Sequence, residues 1–148
     1  MQLAAPDKRL RELQKAIDRV WQQILAEDAP PSQVPFPKAI WHFARGMALV
    51  RTDKPSEARK ELKALQAIAS DPAMEKVVLF DINRADRVLD VAQHMLFGEI
   101  ALATKQSKVG IASLQKAVAA EDLLNYNEPP DWPLPVRPDS YPYSMSGP

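Results

Sequence analysis

The chain has 148 residues, enough to bury one core, and 46% of them are hydrophobic, which excludes wholesale disorder. Lys plus Arg and Asp plus Glu both number 19, so the formal charge is zero and nothing favours nucleic acid as a partner. There is no cysteine, so disulfide and thiolate chemistry are excluded.

The first residues, MQLAAPDKRLRELQ, contain no apolar run of the signal-peptide kind, and no later run is long enough for a membrane span. The expectation is a cytoplasmic chain without membrane contact. Residues 1–28 form the N-terminal segment, with a helix from Asp7 to Ala26. Its Leu10, Leu13, Ile17, Val20, Trp21, Ile24 and Leu25 recur every three or four residues as one apolar stripe, and Asp7 is placed to cap it. Pro30, Pro31, Pro35 and Pro37 then predict an extended connector over Ala29 to Pro37.

A second helix is predicted from Lys38 to Arg51, with Ile40, Phe43, Met47 and Val50 in one stripe. Thr52-Asp53-Lys54-Pro55 is a turn, and a third helix continues to Ala69 with Ala58, Leu62, Leu65 and Ile68 inward. Asp71 would cap a short helix over Pro72 to Leu79, and Asp81-Ile82-Asn83 marks a break. Long helices follow from Arg84 to Thr104 and from Lys108 to Leu124. No stretch shows the alternation of a strand. After Asn125 the composition changes, for residues 125–148 hold half of the 14 prolines. This tail is predicted to be extended, its first half packed on the helices through Trp132, Leu134 and Val136 and its end mobile, with Tyr141 and Tyr143 as further anchors.

The chain repeats itself. HFARGMAL (His42 to Leu49) aligns with HMLFGEIA (His94 to Ala101), and Ala58, Leu62 and Leu65 align with Gly110, Leu114 and Ala117. Small residues at Gly46 and Ala58, and at Gly98 and Gly110, would let each helix pair approach closely. On these residues the chain resembles the tetratricopeptide repeat family, whose unit is two helices in about 34 residues. The two units are 38–71 and 91–124, both degenerate, separated by an insertion at 72–90. PFPKAIWHFARGMAL and AVAAEDLLNYNEPPDWPLPVR further resemble segments of longer bacterial proteins with many such repeats.

The resemblance implies an all-α, non-enzymatic scaffold that binds a protein or peptide segment in an apolar helical groove. The groove positions it implies are Ile40, Phe43, Met47, Val50 and Arg51 in the first unit, and Ala92, Met95, Glu99, Leu102 and Ala103 in the second. Adaptable Met and Phe side chains suit such a surface, although the chain's own first helix or tail is also long enough to cover it. The rival reading is a small-ligand or metal site between the helices, using His42, His94 and Glu99. Spacing supplies no further ligand to complete a metal shell, and histidines filling the family's aromatic slot explain the pair as well. The basic run Arg51, Lys54, Arg59, Lys60 and Lys63 is interleaved with acids and reads as a solvated face. No nucleophile motif, phosphate loop or cofactor fingerprint is present, so neither catalysis nor a cofactor is expected. Because the last two helices have no following repeat, their leftover surface is expected to bury itself against a second copy in a two-fold dimer.

Overall fold

The computed structural model describes residues 7–126, 130–134 and 136. Its helices are α1 (Lys8–Ala26), α2 (Pro35–Arg51), α3 (Pro55–Ala69), α4 (Ala85–Ala103) and α5 (Ser107–Asp122). Between α3 and α4 lie a 3-10 turn (Pro72–Glu75) and a small antiparallel ribbon of β1 (Val78–Leu79) and β2 (Asn83–Arg84). The all-α expectation holds, with the ribbon as an unforeseen addition.

Local chemistry explains most of the boundaries. Asp7 caps α1, its carboxylate accepting from the Arg9 N–H at 3.4 Å. Asp71 does the same for the 3-10 turn through the Ala73 N–H at 2.9 Å, but that turn stops at Glu75 instead of reaching Leu79. The predicted connector is shorter than expected, because α2 begins at Pro35 and takes both Pro35 and Pro37 into its first turn. Proline costs little there, since the first N–H groups of a helix have no intrahelical acceptor.

The two interhelical turns are built alike. Thr52 ends α2 and Thr104 ends α4, and each hydroxyl donates back to the carbonyl four residues earlier, Ala48 or Ile100, at 2.9 Å. Asp53 and Lys105 follow in the left-handed region, with φ 61° at both. The N–H groups of Lys54 and Gln106 then reach the carbonyls of Leu49 and Ala101 at 2.8 Å, which closes a Schellman cap with a non-glycine residue at its left-handed position.

Packing follows connectivity. α2 pairs with α3 and α4 with α5, while α4 also lies against both α2 and α3. α4 is accordingly the best buried helix, and its Val88, Leu89, Val91 and Leu96 join Leu65 and Met74 among the fully buried side chains. Gly98 and Gly110 face each other across a close approach of α4 and α5. A Cβ on either would lie about 3 Å from the other's carbonyl oxygen (3.1 and 3.0 Å). Gly46 works differently from the sequence expectation. A Cβ there would meet Leu96 of α4 at 2.5 Å, so this glycine makes room for the central helix. Ala58 of α3 is fully buried.

α1 is the exception to good burial. No residue of it is buried, and it packs chiefly on α2 through its C-terminal end. Its apolar stripe is therefore only partly used within the described residues. Trp21, Ile24 and Leu25 are partly buried, whereas Leu10, Leu13, Ile17 and Val20 stay exposed.

Candidate functional site

An opening of ≈ 710 Å³ lies between α1, α2, α4, the ribbon and residues 130–134. Its wall is almost wholly apolar. α2 supplies Phe36, Ile40, Phe43, Ala44 and Met47, α4 supplies Met95, and α1 supplies Trp21 and Ile24. The ribbon adds Leu79 and Phe80, and the far side is closed by Trp132 and Leu134. Helical spacing on α2 creates the wall, since residues three and four apart share one face.

Of the groove positions read from sequence, Ile40, Phe43, Met47, Arg51 and Met95 come together here. Val50 and Ala92 do not line it and belong to the hydrophobic core. Glu99 is engaged by Arg51, whose Nη1 donates to its Oε2 at 3.0 Å across the α2–α4 contact. Leu102 points to α5, where its side chain stands 2.9 Å from the place a Cβ on Gly110 would occupy. Ala103 is exposed.

His42 and His94 are not brought to a common ligand. His42 Nδ1 meets Glu61 Oε2 of α3 at 2.6 Å, and His94 Nε2 meets Asp90 of its own helix at 3.2 Å. Among the described residues no group of three or more His, Cys, Asp or Glu gathers to hold a metal ion. Glu61 also takes Arg45 Nε at 3.2 Å. Arg45 in turn lies over the Trp41 ring at 4.8 Å and donates to the Leu25 carbonyl at 2.7 Å. Trp41 Nε1 donates to the Glu27 carbonyl at 3.1 Å. This polar cluster ties the end of α1 to α2 and α3 and so fixes the cavity's α1 wall.

Two features of the opposite wall escaped the sequence reading. Phe80 is 78% exposed at the cavity rim, with φ 50°, next to Asp81 with φ 60°. A bulky side chain in the left-handed region is strained and persists only where its surroundings impose it. Here the imposing contacts are the Ile82 N–H to Leu79 carbonyl bond at 2.9 Å and the strand pairing. The second feature is Asn83, buried in β2. Its Nδ2 donates to the Asn125 carbonyl at 2.9 Å and to Asp131 Oδ2 at 2.8 Å, while its Oδ1 accepts from the Asn125 N–H at 2.8 Å. That clamp holds residues 130–134 against the cavity. The tail's Trp132 joins the hydrophobic core, the Val136 N–H donates to Glu121 Oε2 of α5 at 3.2 Å, and the buried Trp132 Nε1 meets no acceptor among the described residues. Tyr141 and Tyr143 lie outside the described residues.

At the start of α4, Arg84 donates to Asp86 through Nε at 3.0 Å and Nη2 at 2.6 Å. This bond holds the Asp86 carboxyl below its ordinary range, helped by the charge of Arg84 and the Arg87 N–H, against a partial burial that acts the other way.

Compared with protein-family models, curated proteins and solved structures, the chain finds no match. No described helix is long and apolar enough to cross a membrane.

Proposed function

We propose that this chain is a non-enzymatic interaction domain that takes an apolar segment of a partner protein into the cavity between α1, α2, α4 and the ribbon. The observation that carries the proposal is the convergence of Ile40, Phe43, Met47, Arg51 and Met95, from two separate helices, on one open apolar cavity of ≈ 710 Å³. Two methionines adapt the wall to an uneven surface. Phe80 offers a rigid aromatic anchor at the rim. We read α2–α3 and α4–α5 as two degenerate tetratricopeptide-like units. The matching Thr52 and Thr104 turns support that reading, and the different neighbours of Gly46 and Gly98 mark the degeneracy.

Selection from a random peptide library on the intact chain tests the proposal. Selected peptides should carry apolar residues at regular spacing. Ala44→Trp, which fills the cavity, and Phe80→Ala, which removes the rim anchor, should each weaken them by about tenfold or more. Ile111→Glu on the outer face of α5 should leave them unchanged. Peptides insensitive to both cavity substitutions would overturn the assignment. The same cavity falls within the size range of small-molecule sites. A fluorescent fatty acid displaced by the selected peptides would place both ligands in it.

A further inference from the structure

We propose that α1 forms a short antiparallel two-helix coil with α1 of a second copy, independently of what fills the cavity. Leu10, Leu13, Ile17 and Val20 are 59%, 57%, 39% and 50% exposed although they form the apolar stripe of the helix. Their spacing is three, four, three, which is the narrow a/d seam of a coiled coil. Such a seam fits another helix carrying the same spacing, because each side chain needs a hole between four others.

The second copy is the occupant that the residues fit. In an antiparallel two-fold arrangement centred near Lys15, Leu10 faces Val20 of the second copy and Leu13 faces its Ile17, so all four exposed side chains are satisfied at once. The central flanks are Gln14 against Gln14 and Ala16 against Ala16, where no like charges meet. Farther out, Asp18 accepts from its own Gln14 at 2.9 Å and Glu12 pairs with its own Lys15 at 3.7 Å. There the second copy adds Arg11 on the side of Asp18 and Arg19 on the side of Glu12, opposite charges that symmetry repeats. Sterics agree. Each domain is attached at the C-terminal end of its α1, through the carbonyls of Leu25 and Glu27, so antiparallel pairing puts the two bodies at opposite ends. The outer face of α5 makes a poorer seam. Its exposed Val109 and Ile111 are two residues apart and point away from each other on a helix.

Sedimentation equilibrium on the intact chain tests this, and the absence of native cysteine allows a second measurement. The wild type should dimerise, and Ile17→Glu should raise the dissociation constant by about a hundredfold or more, because it places a charge in the seam. The helical signal of the domain body should not change. Under mild oxidation Gln14→Cys should crosslink to itself, whereas Lys15→Cys, on the far side of the helix, should not. A chain that stays monomeric to high concentration would overturn the proposal, as would a dimer that Ile17→Glu leaves intact. So would a monomer that uses the same stripe only to bind lipid vesicles. Phe80→Ala should leave the dimer unchanged, so failure of the cavity assignment and failure of this one are distinguishable.

Discussion

Trp132 stands edge-on to Phe43, with ring centroids 4.9 Å apart and planes at 70°. The pair joins the C-terminal stretch to α2 and closes one side of the cavity. Trp132 is only 5% exposed, so it acts as a core residue supplied from outside the helices. Trp132→Ala should therefore lower the unfolding free energy by about 3 kcal/mol or more, as for other large aromatic deletions. Trp132→Phe keeps the edge contact and removes a donor that meets no acceptor among the described residues, so it should cost less than about 1.5 kcal/mol. Urea denaturation of the two variants separates a packing role from a merely local one. Equal losses would show that Phe43 is not the partner that matters.

Gly46 and Leu96 should be energetically coupled. A Cβ at Gly46 would lie 2.5 and 2.9 Å from the two methyls of Leu96, a side chain fully buried in α4. Gly46→Ala on an exposed helix would stabilise by about 1 kcal/mol, since glycine is a poor helix former. Here overpacking should reverse the sign and cost about 1–3 kcal/mol. With Leu96→Ala already in place the crowding disappears. A double-mutant cycle in denaturant should then give a coupling above about 1 kcal/mol. Additive effects would mean that Gly46 does not serve the α2–α4 contact.

Glycine should stabilise the chain at Phe80 and Lys105. Both hold a left-handed backbone, with φ 50° and 61°, and both side chains are exposed, so little packing is lost. Relief of the left-handed strain is worth about 1 kcal/mol per site, partly offset by glycine's greater freedom in the unfolded chain. Thermal melts should show a higher midpoint for each variant. Phe80→Gly should at the same time lose partner binding, which is the stability–function opposition expected of a strained rim residue.

Asp86 should make stability pH-dependent at acid pH. The hydrogen bond from Arg84 holds its carboxyl below the ordinary value of 3.8, so the folded state favours the ionised form. The resulting stabilisation is fully present above that ordinary value and is lost as the pH falls through the lower folded value. Asp86→Asn should be less stable than the wild type at neutral pH, and the difference should close in melts run at progressively lower pH below 3.8. A difference that persists at the acid end would assign the effect to helix capping geometry instead of charge.

The sequence by itself determined the helices, because their causes are local. Apolar residues every three or four positions, Asp7 and Asp71 as caps and Thr52-Asp53-Lys54-Pro55 as a turn place most boundaries to within a few residues. The start of α2 at Pro35 is not legible from composition, because a count of prolines does not distinguish a helix interior from a first turn. The ribbon was illegible for a different reason. Phe80 adopts a left-handed angle that its own preference opposes, so only strand pairing and the Asn83 clamp, formed with Asn125 and Asp131 far along the chain, select it. Tertiary structure likewise decided the cavity. Periodicity shows that Ile40, Phe43, Met47 and Val50 share one stripe, but the tertiary structure takes Val50 off the wall into the core and leaves Met47 on it. It also decided the fate of α1. An amphipathic stripe states that a helix has an apolar side, and only the position of α2 shows that the half from Leu10 to Val20 stays exposed among the described residues.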